Sequence, residues 1–253
     1  MRILHISDFH LPDERGQILY GLDPYACVQA AVAAVGRVFP VPDLAVVGGD
    51  MLNAGESGDY GTLNDVLVPL SMPIHYVLGN HDCLDVFNES SLSLRGAESP
   101  GYYSCDCHGC HLVMLYTAGT GHGYGEMDDE QLAWLEKDLV GSSDRPVLIF
   151  AHHPPVDVGV AWLDRIKLHN ADAFWRVVEP HAVHILGVFV AHLHLQATWV
   201  HRGVFVASCP SVCWQFSGNA DAAKAELSDE PPGFNVIDVS DEQVVVRTVH
   251  HQL

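Results

Sequence analysis

The first third of the chain alternates short apolar runs with a longer helical segment. The apolar runs are residues 3–7, 44–48 and 74–78, and each has the length of a buried strand. Asp23 followed by Pro24 is typical of an N-cap and a first helical turn, so a helix is predicted from there to about residue 38. This order of strand, helix and strand favours a parallel or mixed sheet that is covered by helices.

The rest of the chain is richer in strands. Residues 102–107 and 111–117 predict an antiparallel hairpin, and Asp128 with Gln131 predicts a capping box at the start of a helix that continues to Leu139. Further apolar runs predict strands at residues 146–151, 183–191, 198–208, 234–239 and 243–249. Because one flat sheet rarely holds so many strands, we expect two sheets packed face to face between helical layers.

Length and composition favour one globular domain over residues 1–253. The hydrophobic fraction of 48% and the charged fraction of 17% are ordinary, and no repeat or linker-like stretch interrupts the sequence. No apolar run approaches the roughly 18 residues that span a bilayer. The first residues enter a strand directly and leave no place for a signal peptide, which predicts a cytoplasmic protein without a membrane partner.

Acidic residues outnumber basic residues by 32 to 12, which gives a formal net charge of −20. Such a surface repels a phosphate backbone, so no nucleic-acid partner is expected. It does not exclude a small phosphate ester, because bound metal ions set the local charge of a site. The 17 His residues are more informative, since histidine is the commonest metal ligand.

The cysteines do not indicate a disulfide framework. Seven cysteines are an odd number, and without a secretion signal they favour reduced thiols. Cys105, Cys107 and Cys110 resemble half of a zinc knuckle, but a second ligand pair at zinc-finger spacing is missing. His108 and Gly109 are typical of a two-residue hairpin turn, so a hairpin is favoured over a zinc site.

Polar residues follow five of the predicted strands at their carboxyl ends. The segments are Asp8-Phe9-His10, Gly49-Asp50, Gly79-Asn80-His81-Asp82, His152-His153-Pro154-Pro155 and His192-Leu193-His194. Catalytic groups and ligands of layered α/β proteins gather at such strand ends. A single buried His or Asp is usually structural, but five such segments in order indicate a site for two divalent or trivalent ions, with carboxylate, imidazole and amide ligands.

These segments resemble the motifs of the calcineurin-like metallophosphoesterases. Within that superfamily, the chain is most similar to the class III cyclic nucleotide phosphodiesterases and the related bacterial glycerophosphodiesterases. The resemblance covers about residues 1–210 and, loosely, residues 231–234. It implies a four-layer α-β-β-α sandwich, in which two mixed β-sheets are flanked by helices, and this agrees with the strand count.

The resemblance also implies a role for each residue of the motifs. Asp8, His10 and His194 would hold the first metal, Asp50 would bridge both metals, and Asn80, His152 and His192 would hold the second. His152 is chosen over His153 because relatives keep the first His of that pair. The Gly that usually precedes the last His pair is Ala191 here, which matters only if that position needs a positive φ.

We therefore expect a binuclear metal-dependent phosphodiesterase that hydrolyses a small phosphodiester, of cyclic nucleotide or glycerophosphodiester type. The alternative within enzymes is a phosphomonoesterase or a broad-specificity phosphoesterase, and the alternative outside them is a regulatory metalloprotein without catalysis. The intact set of motifs argues against the latter. Fe, Mn, Zn and Co all suit the ligands, with Fe and Mn favoured, and a homo-oligomer is compatible with the sequence.

Metal-bound hydroxide would attack phosphorus, and Asp50 and His81 are the residues expected to be catalytic. His81 would stay off the metals and either hydrogen-bond a phosphoryl oxygen or protonate the leaving group. Two roles are equally favoured for Asp82. It would either orient His81 or accept hydrogen bonds from backbone N–H groups. His5 is expected to be a hydrogen-bonded core residue rather than a support for the metals.

Three segments are candidates for contact with the substrate. They are the loop at residues 53–60, the loop at residues 121–125, and Trp162 together with residues 167–170. The second loop carries His122 and Tyr124, two side chains that could contact a leaving group. An ordinary surface loop is an equally good interpretation of each segment, since loops vary without carrying function.

Overall fold

The computed structural model of the chain describes residues 1–38, 40–92, 100–118 and 122–252. The strands are β1 (Arg2–Ile6), β2 (Leu44–Val47), β3 (Ile74–Tyr76), β4 (Tyr103–Cys107), β5 (Cys110–Met114), β6 (Val147–Phe150), β7 (Ile185–Val190), β8 (Thr198–His201), β9 (Val204–Ser208), β10 (Gln215–Phe216), β11 (Leu227–Ser228), β12 (Gly233–Val239) and β13 (Val244–His250). The α-helices are α1 (Pro24–Val35), α2 (Gly61–Leu67), α3 (Leu84–Glu89), α4 (Asp129–Gly141) and α5 (Ala171–Val178).

Two mixed sheets hold all but two of these strands. The first sheet has the order β13-β12-β1-β2-β3, and its strands β1, β2 and β3 are parallel. The second sheet has the order β4-β5-β6-β7-β9-β8, with β5, β6, β7 and β9 parallel and the outer strands antiparallel to their neighbours. The predicted pair of mixed sheets is confirmed.

Three apolar clusters separate the layers of the molecule. Because successive side chains of a strand point to opposite faces, Ile3 packs between the two sheets while Leu4 packs outward, in the cluster that also contains residues of α1 and α2. On the far side of the second sheet, Ile149 shares a cluster with Leu135 of α4 and Trp175 of α5. The layers therefore follow one another as helix, sheet, sheet and helix, as predicted. Within the described residues, no helix has the length and apolarity of a membrane span.

Several predicted boundaries differ from the structure. The strand predicted over residues 198–208 is two strands, β8 and β9, joined by a turn in which Arg202 and Gly203 have φ angles of 50° and 81°. The predicted hairpin turn is confirmed, since His108 and Gly109 have φ angles of 49° and 81°, as the favoured two-residue turns require. The first helix ends at Val35 rather than near residue 38, and helices α2, α3 and α5 were not predicted.

The predicted capping box of α4 is only half formed. The Asp128 carboxylate accepts a hydrogen bond from the Gln131 backbone N–H (2.7 Å), as expected. The Gln131 side chain does not return to the cap but bonds the backbone of Tyr116 twice, at 2.9 Å to the N–H and 2.7 Å to the carbonyl oxygen. The start of α4 is therefore fixed to the chain just beyond β5.

An ionic network fastens the β4–β5 hairpin to α4. Both ring nitrogens of His111 lie against carboxylates, with Nδ1 at 2.6 Å from Asp106 and Nε2 at 2.8 Å from Asp138. Ser104 donates to Asp138 (2.8 Å), and Arg145 donates to Asp106 (2.7 Å). Since a carboxylate only accepts, His111 donates from both nitrogens and is an imidazolium. Burial opposes the charge, but the two carboxylates raise the pKa of His111 above its ordinary value.

We predict that this network makes stability depend on pH. Because the pKa of His111 is higher in the folded state, protonation of this ring stabilises the fold. The contribution is fully present below the unfolded-state pKa of about 6.5 and is lost as the pH rises through the folded-state pKa. Urea unfolding should show that the free energy of unfolding of wild type exceeds that of a His111→Gln variant by about 1–2 kcal/mol at pH 6. The difference is modest because solvent surrounds Asp106. The difference should shrink by pH 9. A difference that stays constant with pH would show that His111 is not charged in the folded state.

Candidate metal centre

Five strand ends converge at one edge of the two sheets, where the predicted ligands lie. Sheet one supplies the segments after β1, β2 and β3, and sheet two supplies those after β6 and β7. Five of the residues have left-handed backbones, with φ angles of 57° at Asp8, 47° at His10, 50° at Asp50, 69° at His192 and 44° at His194. Such strain in non-glycine residues clusters at functional sites, where the surrounding structure enforces it.

The first ligand group consists of Asp8, His10 and His194, all buried. His10 Nε2 lies 3.0 Å from His194 Nε2, and His194 Nε2 lies 3.6 Å from the Asp8 carboxylate. One ligand atom from each of the three residues falls within 4.8 Å of the other two. The structure therefore places the residues predicted for the first metal together.

The second ligand group was predicted from Asn80, His152 and His192, and the structure brings the two histidines together. His152 Nε2 lies 3.2 Å from His192 Nδ1, and the side-chain oxygen of Asn80 is buried. Asp50 lies between the two groups, because its Oδ2 is 3.3 Å from His152 Nε2 and 3.6 Å from His10 Nε2. This is the position that a bridging carboxylate requires.

Backbone carbonyls orient two of the imidazole rings. His152 Nδ1 donates to the Gly48 carbonyl oxygen (2.8 Å), and His194 Nδ1 donates to the Trp214 carbonyl oxygen (3.0 Å). Because Nδ1 carries the proton of each neutral ring, the Nε2 lone pair points into the centre. Support of this kind is typical of metal-ligating histidines.

Gly49 makes the close approach of these segments possible. Its φ is 105°, and a β-carbon at this position would lie 2.6 Å from His152 Nδ1 and 2.7 Å from the backbone nitrogen of Gly79. The Gly-Asp pair of the second motif is therefore a geometric requirement for bringing Asp50 beside His152.

The donor set fits a cation. Both carboxylate oxygens of Asp8 are buried, and neither accepts a hydrogen bond of normal geometry from the part of the chain that the structure describes. A buried carboxylate needs such a partner or a positive ion. The seven residues offer carboxylate, imidazole and amide donors and no sulfur, which suits Fe, Mn, Zn or Co.

Burial and charge set the protonation of the ligands. Burial lowers the pKa of His192 and His194 to about 3, so both rings are neutral and keep a lone pair. Burial also raises the pKa of Asp8 to about 7. Burial disfavours charge on Asp50 and His152, but their attraction holds the pKa of Asp50 well below its ordinary value and raises that of His152 to about 9. A proton and a metal therefore compete for His152 Nε2.

His81 lies at the centre, with one ring nitrogen within 4.8 Å of ligand atoms of His10 and Asp50. Its ring meets the His10 ring edge to face at 4.7 Å, and its Nδ1 donates to the carbonyl oxygen of Asn53 (2.9 Å). The His81 backbone N–H donates to Asp50 Oδ1 (2.9 Å). The Asn53 bond fixes the ring and leaves Nε2 as the atom that can bond a substrate.

Asp82 takes the second of its two predicted roles. Its carboxylate accepts hydrogen bonds from the backbone N–H groups of Gly79 (2.9 Å), Met51 (3.1 Å) and Leu52 (3.3 Å), and from the Tyr60 hydroxyl (3.2 Å). It therefore holds the loops after β2 and β3 against each other. The alternative role, orienting His81, is wrong because Asn53 does that.

His153 lies closer to the centre than its omission from the ligand set implies. Its Nδ1 is 2.8 Å from the Thr117 hydroxyl, and its ring centroid is 4.4 Å from that of His192. One of its nitrogens lies within 4.8 Å of ligand atoms of His152 and His192. The His153 ring lies farther from Asp50 than the His152 ring does, so His152 remains the proposed ligand.

Comparison of two alanine variants tests the choice between these neighbours. We predict that His152→Ala loses bound metal and lowers kcat/KM by more than about 100-fold. Mutation of residues that only support the metal ligands already lowers metal affinity or activity by about 10–100-fold. His153→Ala should keep its metal content and lose less than about tenfold. Metal analysis of the purified variants decides the question, and the reverse pattern would make His153 the ligand.

Trp214 was not predicted to have a role, but its side chain packs against the first ligand group. Its indole ring stacks on His10 (centroids 5.1 Å apart, planes at 30°) and lies 5.2 Å from His194. Its carbonyl oxygen holds His194, as described above. The sequence signals only an apolar stretch at residues 209–216, and the side chains of Cys209, Val212, Cys213 and Trp214 are buried within the chain.

Two further expectations concern single residues. Ala191 is absent from the positive-φ positions of the described chain, so the replacement of the usual Gly has no backbone consequence there. His5 is a core residue, with its ring edge to face with Phe150 at 5.5 Å. The expected hydrogen bonding of His5 is wrong, since neither ring nitrogen has a partner among the described residues, and burial lowers its pKa to about 3.

Comparison with known proteins identifies the family. The model of the calcineurin-like phosphoesterases matches residues 1–196. The 3′,5′-cyclic adenosine monophosphate phosphodiesterase CpdA of Vibrio vulnificus is 30% identical over 222 residues, which cover 87% of this chain and 80% of that protein. The glycerophosphodiester phosphodiesterase GpdQ of Enterobacter lignolyticus is 29% identical over 219 residues, which cover 85% of this chain and 78% of that protein.

A solved structure agrees in fold. A dimetal phosphatase from Danio rerio has a TM-score of 0.71 and 17% sequence identity, covering 98% of this chain and 95% of that one. The chain belongs to the calcineurin-like phosphoesterase family. The predicted family and the predicted enzyme class, a metal-dependent phosphodiesterase, are confirmed.

Proposed function

We propose that the chain hydrolyses small phosphodiesters of the cyclic nucleotide or glycerophosphodiester type. In this proposal two metal ions are held by seven residues, which are the three residues of each ligand group and Asp50. The observation that carries the proposal is the position of Asp50, within 4 Å of ligand nitrogens from both groups. The named activities of the relatives in Vibrio vulnificus and Enterobacter lignolyticus support the choice of substrate.

Each residue has a defined task in the proposal. Asp8, His10 and His194 hold the first ion, Asn80, His152 and His192 hold the second, and Asp50 contacts both. Fe, Mn, Zn and Co all suit these nitrogen and oxygen ligands, and Fe and Mn are the ions we favour. Bound ions of this kind polarise the phosphate and supply an activated water.

His81 acts on the substrate through Nε2. Its Nδ1–H is engaged by the Asn53 carbonyl oxygen, and its backbone is held by Asp50, so the ring is positioned before substrate binds. A protonated Nε2 donates to a phosphoryl oxygen or gives its proton to the leaving alkoxide, and general acids of this type contribute about 10²–10⁴-fold to rate. Preorganised donors of this kind stabilise the charge that develops during phosphoryl transfer.

The net charge and the cysteines bear on the partners and the cellular location of the enzyme. The net charge of −20 supports a small substrate and no nucleic-acid partner. The seven cysteines form no disulfide, which is compatible with a cytoplasmic enzyme. We propose a single domain over residues 1–253 without a membrane partner, and a homo-oligomer is compatible with this proposal.

The proposal is tested with the Mn-reconstituted protein on bis(p-nitrophenyl) phosphate and on p-nitrophenyl phosphate. We expect a higher kcat/KM on the diester and loss of that activity in an Asp50→Ala variant. A preference for the monoester would establish the phosphatase alternative. Equal, negligible rates for wild type and variant on both substrates would contradict the catalytic proposal.

A further inference from the structure

Three parallel rings form a stack on the surface. Tyr124 stacks on His169, with centroids 3.8 Å apart and planes at 7°, and His122 stacks on Tyr124 at 4.8 Å and 9°. His122 and His169 are exposed, and Tyr124 is half-buried between them. These three residues are the ring stack. Gly121, the first residue of the loop singled out in the sequence, lies outside the described residues.

Close backbone approaches place the ring stack beside the second ligand group. Gly125 is so near His153 that a β-carbon there would lie 2.5 Å from His153 Cγ. The backbone of Gly123 also lies near the His153 ring, without a hydrogen bond of normal geometry. Because His153 contacts His192, the loop that carries His122 and Tyr124 runs directly along the metal centre.

A second loop supports the stack from the other side. The backbone of Ile166 lies near the His192 ring, without a hydrogen bond of normal geometry. Gly125 donates to the carbonyl oxygen of Lys167 (3.1 Å), and His169 donates its backbone N–H to the carbonyl oxygen of Gly125 (2.8 Å). The two loops are thus paired with each other, and both border ligands of the second ion.

The rings are held in position before any substrate binds. His169 Nε2 donates to the Arg165 carbonyl oxygen (3.0 Å), which fixes the plane of that ring, and Tyr124 and His122 lie parallel to it. Both imidazoles are exposed, so a planar group can reach them. Stacking of a nucleobase on such a ring strengthens binding by about tenfold, and a rigid platform loses little of that to ordering. A glycerol or ethanolamine group has no planar face and gains nothing comparable.

We infer that the ring stack is a subsite for the base of a nucleotide-type phosphodiester, and that it favours such substrates over glycerophosphodiesters. The inference rests on the proposed function, because it assigns the substrate class of the same centre. It also gives His122 and Tyr124 a role in specificity that leaves the chemical step at the metals and His81 unchanged.

The kinetic test compares 3′,5′-cyclic AMP with glycerophosphoethanolamine in wild type, His122→Ala and Tyr124→Ala. We expect KM for the cyclic nucleotide to rise about tenfold in both variants, the effect of losing one base stack. The KM for glycerophosphoethanolamine and both kcat values should be unchanged. His122→Phe keeps a planar face and should retain the wild-type KM within about twofold. Because His122 is exposed, its variants should unfold at the wild-type temperature.

A binding measurement separates failure of the inference from failure of the proposed function. Titration calorimetry of the Mn-loaded protein should show that His122→Ala binds AMP about tenfold more weakly and glycerol 3-phosphate as well as wild type does. This readout needs no turnover, so it decides the inference even if wild type hydrolyses neither diester.

Tyr20→Ala is the matched control, since Tyr20 is another exposed aromatic ring (59% exposed) that lies against Trp214 beside the first ligand group. The inference is overturned if Tyr20→Ala shows the selective loss of AMP affinity and the ring-stack variants do not. Equal losses for AMP and glycerol 3-phosphate in the ring-stack variants would also overturn it, because they would indicate a general disturbance of the site.

Discussion

Replacing Asp50 by Asn is expected to lower kcat/KM on bis(p-nitrophenyl) phosphate by about a thousandfold or more, equivalent to about 4 kcal/mol of transition-state stabilisation. The physical reason is the position of this carboxylate between His10 and His152, within 4 Å of a ring nitrogen from each ligand group. Asn has the same shape and tolerates the left-handed backbone of this position, so the fold should be preserved. Metal analysis should show about one ion fewer per chain.

An Asp65→Asn variant provides the control for removing an acidic side chain. Asp65 is exposed and paired with Arg15 on the surface (2.6 Å), so its loss should change neither activity nor metal content. Normal activity in Asp50→Asn would mean that this residue does not bridge the ions, and the proposed assignment of ligands would be wrong.

A His81→Ala variant is expected to lose about a thousandfold in kcat while keeping its KM and its metal content, in line with the size of general acid catalysis. Metal binding should survive because the contact of residue 81 with Asp50 comes from the backbone N–H, which alanine retains. The side chain contributes the contact with the Asn53 carbonyl oxygen, the edge-to-face contact with His10, and the Nε2 atom proposed to act on the substrate. The effect should therefore fall on the chemical step.

The split between kcat, KM and metal content distinguishes a role in the chemical step from a structural one. A loss confined to kcat supports the proposed role of His81, whereas a change in KM or metal content indicates a structural role. His108→Asn, on the β4–β5 turn, is a suitable control because it removes a histidine far along the chain from the motifs and keeps a residue that tolerates positive φ. Metal loss in His81→Ala would instead make His81 a ligand.

The sequence predicted the strands better than the helices. Apolar runs located both sheets because buried strands are nearly continuous in apolar residues. Helices α2, α3 and α5 have seven, six and eight residues, too few turns for a helical period to stand out. In α5, the apolar spacing of Phe174, Trp175 and Val178 was the available signal. The division of β8 from β9 was missed because Arg rarely occupies a left-handed turn position, as Arg202 does.

The candidate site was predictable where side chains carry the information and unpredictable where backbone atoms do. Asp8, His10 and Asp50 follow strands directly, so their convergence follows from parallel pairing. The supports of the rings are carbonyl oxygens of Gly48, Asn53 and Trp214, which every residue possesses and no sequence pattern marks. The contact of Trp214 with His10 joins residues 204 positions apart, and only the folded chain reveals it.

The left-handed backbones of the ligands also bear on how this enzyme can change over generations. Each strained residue costs of order 1–3 kcal/mol, and a glycine at His10, His192 or His194 would release that strain while removing a proposed ligand. Selection for thermostability alone would thus enrich inactive descendants, a trade-off between stability and activity. A mutant library of this protein sorted by melting temperature would need a second sort for turnover to retain functional clones.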